Sequence, residues 1–101
     1  QGCNAMPNQN IQAPRLSYNK GQVMAEVQAQ PNQRYQVEFF ANRQERSQEA
    51  EQYLGTQVVT TNAQGQGQAT WKALNSAASV TANVTDHLGA TSELSPAVRI
   101  K

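Results

Sequence analysis

Two runs near the start of the chain change sides at every residue, and this alternation limits the fold more than any other feature. In residues 21–30, "GQVMAEVQAQ", Val23, Ala25, Val27 and Ala29 share one face while Gln22, Met24, Glu26 and Gln28 share the other. A period of two belongs to an extended strand with one side against a core, whereas a helix needs a period of 3.6. Residues 34–42, "RYQVEFFAN", repeat it, with Tyr35, Val37, Phe39 and Ala41 inward and Arg34, Gln36 and Glu38 outward. The intervening "QPN" is turn chemistry, so the two runs are expected to form an antiparallel hairpin.

Four later segments, "GTQVVTT", "GQATWKA", "SVTANVT" and "SPAVRIK", carry β-branched or aromatic residues bounded by Gly, Asn, Ser or Pro. Turn signals recur every dozen or so residues, which predicts an all-β sandwich. The "GQGQ" at residues 65–68 reads as a hairpin turn entering a strand. Only "RQERSQEAEQ", residues 43–52, holds a helix-favouring composition, and it lacks an apolar stripe, so a loop or one short helical turn is expected there. The 14 alanines among the 38% hydrophobic residues leave few large side chains, which suits two sheets lying close together. At 101 residues the chain is one domain. We expect residues 11–101 to form it, with 1–10 a flexible start in which "QGCNAM" resembles a tag remnant. Cys3, the one cysteine, is set aside with it, since it cannot form an internal disulfide or a metal site of the usual kind.

The polar surface is built from neutral amides, 15 Gln and 9 Asn, and the net charge of +1 is spread over separated Lys and Arg. Electrostatic binding of nucleic acid or acidic membrane is therefore not expected. No stretch reaches the roughly 18 to 20 apolar residues of a membrane span, and no leader is apparent, so membrane insertion is not expected either.

One stretch invites a catalytic reading. Asp86 and His87, the only aspartate and the only histidine, stand side by side in "VTDHLGATSELSP" with serines close behind. Adjacent residues on an extended or turning backbone diverge, so Asp86 cannot orient His87 as a triad requires. In "TDHLG" the aspartate is suited instead to accept backbone hydrogen bonds from two residues on, with Gly89 supplying a positive φ. With one Asp and six scattered Glu, a complete calcium site is not expected. Trp71 alternates with Ala69 and Ala73 and is expected in the core rather than as a sugar-stacking platform. Phe40 breaks the alternation after Phe39 and is expected on the outer face or under the 43–52 loop. Asn83-Val84-Thr85 matches a glycosylation sequon but lies within a strand, and nothing demands an isopeptide staple from Lys20 or Lys72 to Asn83. No residue is assigned to catalysis, cofactor or metal.

Taken in order, "YQVEFFAN", "EAEQYLGTQVVTTNAQGQGQA" and "TANVTDHLGATSELS" resemble the bacterial Ig-like repeat modules of large secreted or surface-anchored, adhesin-type proteins. Tyr35, Val37, Phe39, Phe40, Leu54, Gly55, Val59, Thr60, Thr61, Asn62, Gly65, Asp86, Gly89, Thr91, Ser92 and Glu93 carry the likeness. The glycine-rich segment that precedes the Leu-Gly strand in such modules is replaced here by charged residues, with Glu49 the residue in common. The resemblance implies an Ig-like Greek-key sandwich of about seven antiparallel strands, outside the cell, with no enzymatic activity and no cofactor. The expected role is a spacer or presenting unit, in which first and last strands run the same way and copies string head to tail. Its partners would be neighbouring domains of the same chain. The alternative is a module that binds a glycan or a host or cell-surface protein through exposed amides and loop aromatics.

Overall fold

The computed structural model describes residues 11–43, 52–72 and 78–100. They form seven strands and, among the described residues, no helix: β1 (Arg15–Asn19), β2 (Gln22–Gln28), β3 (Arg34–Asn42), β4 (Gln52–Thr60), β5 (Gln66–Lys72), β6 (Ser79–Asp86) and β7 (Val98–Arg99). The order β1-β2-β5 makes one antiparallel sheet and β4-β3-β6-β7 the other. The chain is thus an all-β, Ig-like Greek-key sandwich. The predicted tag remnant, Cys3, Glu49, Ala73 and most of the 43–52 segment lie outside the described residues.

The alternating runs bury the faces they were expected to bury. Val23, Ala25 and Val27 of β2 meet Tyr35, Val37, Phe39 and Ala41 of β3, with Val80, Ala82 and Val84 of β6 completing the layer. Trp71 packs half-buried against this cluster, its ring stacked on Phe39 at 5.8 Å and 27°. Gly55 faces the indole so closely that a Cβ there would stand 2.2 Å from the ring, so this narrow gap between sheets requires a glycine. A bulge in β4 allows it: Phe39 is opposite Gly55 but Phe40 is opposite Tyr53, leaving Leu54 as the extra residue. Phe40 stands in ring contact with Tyr53, 5.9 Å between centroids.

Two expected hairpins are not hairpins. β2 and β3 lie in different sheets, and so do β4 and β5, so both "QPN" and "NAQGQ" are arches that carry the chain across the sandwich. The two arches bind each other. Ala29 N–H donates to Gly65 O (2.8 Å), Asn32 N–H to Asn62 O (3.1 Å) and Thr61 N–H to Gln33 O (2.9 Å). The buried Thr61 hydroxyl accepts from Gln33 N–H (3.0 Å) and donates to Gln30 O. Tyr35 Oη accepts from Gln30 N–H at 3.0 Å. A strand with one greasy face satisfies its alternation whether its sequence neighbour lies beside it or across from it, and here these bonds select across.

A true hairpin lies earlier, between β1 and β2, where Lys20 (φ 52) and Gly21 (φ 81) make a two-residue turn with both φ positive. β1 was not anticipated, because "RLSYN" is short and four of its five residues are exposed.

Candidate functional site

The late turn places Asp86 where a cap belongs. Its Oδ1 accepts from Leu88 N–H and Ala90 N–H, each at 2.9 Å, while Gly89 N–H donates to Asp86 O and Asp86 N–H to Ala90 O. Gly89 sits at φ +92. The same grammar recurs at Asn62, whose Oδ1 accepts from Gln64 N–H and Gln66 N–H at 2.9 and 3.0 Å around Gly65 at φ +81. His87 is exposed at the turn's tip.

The serines behind the turn are committed elsewhere. Ser92 Oγ accepts from Val84 N–H and donates to Glu93 O, both 2.9 Å, and Ser92 N–H donates to Val84 O. Ser95 Oγ likewise accepts from Ala82 N–H at 3.0 Å, its own N–H going to Ala82 O. Each serine therefore satisfies both main-chain groups of one β6 residue, so that the segment follows β6 before β7 begins. Both are buried, and neither hydroxyl is presented for attack. From this geometry we expect Asp86→Ala to destabilise the chain by about 1 to 2 kcal/mol through two lost bonds, and His87→Ala to leave it unchanged. Gly89→Val should exceed both, because a β-branched residue is strained at positive φ, although nothing lies within 4 Å of the added Cβ. Urea unfolding of the three variants gives the ordering; a His87 variant as unstable as the Asp86 one would contradict it.

What the fold does assemble is a polar groove of about 650 Å³ at one end of the three-stranded sheet. Strand register brings Arg15 opposite Glu26 and Glu26 opposite Gln68, with Gln28 opposite Gln66 one row on. Asn62 and Gln12 also line it. The strand residues that meet there on the outer face are exposed. A guanidinium can hold a carboxylate through paired N–H donors, and amides both donate to and accept from hydroxyls; with Glu26 opposite Arg15 the groove carries no net charge and suits a small, hydroxylated ligand. The abundance of amides hinted at such a surface, but Arg15 had no signal of its own until β1 was paired. Among the described residues no three His, Cys, Asp or Glu come together as metal ligands.

Fold and surface together define a β-sandwich module with a polar groove among its described residues. No protein-family profile matches the chain. It is, however, similar over all 101 residues, at 61% identity, to a 3-dehydroshikimate dehydratase of Acinetobacter baylyi (strain ATCC 33305 / BD413 / ADP1). The chain spans 21% of that protein's length. This match corrects the expectation of a non-catalytic spacer or adhesin unit and with it the reading as no enzyme: the protein it resembles is an enzyme. The expected extracellular, secreted or surface-anchored location is corrected on the same ground, since the relative is named for a chemical conversion and not as a surface or repeat protein.

Proposed function

We propose that the chain is a β-sandwich module of a 3-dehydroshikimate dehydratase-type enzyme, its groove at Arg15 facing the hydroxylated cyclic carboxylate on which such an enzyme acts. The observation that carries this is the 61% identity along the whole chain, a level at which two sequences share a fold. The groove adds chemical consistency: Arg15, if a ligand displaces Glu26 opposite it, matches a substrate carboxylate, while Gln28, Gln66 and Gln68 match hydroxyl and keto oxygens. Elimination of water from such a ring needs the substrate held by its non-reacting groups, and that is the part assigned to this module.

The test is a chimera in which these 101 residues replace the matching fifth of the Acinetobacter enzyme. It is expected to dehydrate 3-dehydroshikimate, followed by the ultraviolet absorbance of the aromatised acid, at a rate close to the parent. Within it, Arg15→Gln should raise KM about five- to tenfold with kcat little changed, the loss of one solvent-exposed charge-assisted contact. A folded but inactive chimera would refute the family reading, and an unchanged KM would remove the groove from it.

A further inference from the structure

β4 ends its sheet, and among the described residues no strand pairs with its outer side. An open edge presents a row of unsatisfied N–H and C=O groups, which proteins commonly blunt with lysine, proline or a bulge. β4 runs for nine residues, "QYLGTQVVT", without a charge or a proline, and only the bulge at Leu54 interrupts it. On the outer face beside that edge, Val58 is 58% exposed and Tyr53 is 56% exposed, Tyr53 in ring contact with Phe40. Open backbone and exposed apolar side chains thus coincide on one strand, the combination that strand-addition sites use: main chain for affinity, alternate side chains for fit.

We propose that β4 and the outer face beside it dock an uncharged extended segment from the remainder of a dehydratase-type chain, which adds a strand to the sheet. This rests on the reading given under Proposed function. The occupant follows from two facts. The 101 residues correspond to only 21% of the dehydratase they match, so most of such a polypeptide lies outside them. The patch also offers only two exposed large apolar side chains, Val58 and Tyr53, against the roughly 20 to 30 residues a side of a stable independent complex, and a tethered segment needs less because its effective concentration is high. β4 has no charge of its own, so a neutral segment can pair with its edge, while Arg34 and Glu38 stand one strand further in on the outer face.

Hydrogen exchange on the chimera, which is the parent for Val58→Lys, and on that variant tests the docking, with turnover of 3-dehydroshikimate measured on the same unsubstituted preparation. The outward amides of 52–60 are expected to exchange about tenfold slower in the unsubstituted parent than in the Val58→Lys form, whose sandwich should melt at the same temperature. If the parent turns over substrate while 52–60 exchange equally fast in both, the docking is overturned and the family reading stands. Protection of 52–60 in a parent without dehydratase turnover overturns the occupant instead. Protection that grows with protein concentration, together with a dimer in sedimentation, assigns the edge to a second copy and overturns the proposal.

Discussion

Gly65→Val is expected to destabilise this protein by about 3 to 5 kcal/mol, more than any substitution in the late turn. Gly65 sits at φ +81, where a β-branched residue is strained, and its Cβ would meet Ala29 O at 2.1 Å. That obstacle is main chain and cannot swing aside. Relieving it means separating the arches, which stretches the Ala29 N–H bond to Gly65 O and then the Thr61 and Asn32 bonds behind it. Gly89→Val is the natural control, since its φ of +92 is as unfavourable but its surroundings are open. Urea titration of both should place Gly65→Val well below Gly89→Val; equal midpoints would mean that the arches are not clamped at Gly65.

The second large effect is a coupling. Trp71→Ala should cost about 3 kcal/mol, the low end for a large aromatic because the indole is only half-buried, and should remove its stacking on Phe39. Gly55→Ala alone should cost about 2 to 3 kcal/mol, because its methyl would lie 2.2 Å from Cη2 and 2.6 Å from Cζ2 of Trp71, a rigid ring that must leave its stack to make room. In the double variant the methyl enters space the indole has vacated. The double variant is therefore expected to be no less stable than Trp71→Ala by itself, a coupling of about 2 kcal/mol or more. Additive losses would show that Gly55 is needed for some reason other than the ring. The same pair explains why a glycine stands in the middle of a strand, where it would otherwise weaken pairing.

Alternation in the sequence determined which side chains face the core. Val23, Ala25, Val27, Tyr35, Val37, Phe39 and Ala41 could be assigned because the side-chain direction of a strand is a local property with a period of two. Turn chemistry was equally legible at Asp86 and Gly89, since an Asx residue bonding amides two and four residues on is also local. Pairing was not. The periodicity of β2 and β3 is the same for a hairpin as for two strands stacked across a core, and only the bonds between arches 29–33 and 61–65 decide for the second. β1 escaped detection because its face toward solvent is almost entire. The groove escaped for a related reason: Arg15, Glu26 and Gln68 are far apart in sequence and meet only through the register of β1, β2 and β5. The likeness to a dehydratase lay beyond both, because a β-sandwich is a scaffold shared by unrelated activities, and neither alternation nor turn chemistry names an activity. Contacts that are local in sequence were readable from it; those made by hydrogen bonds between distant segments were settled by the tertiary structure, because only there do the partners come within reach.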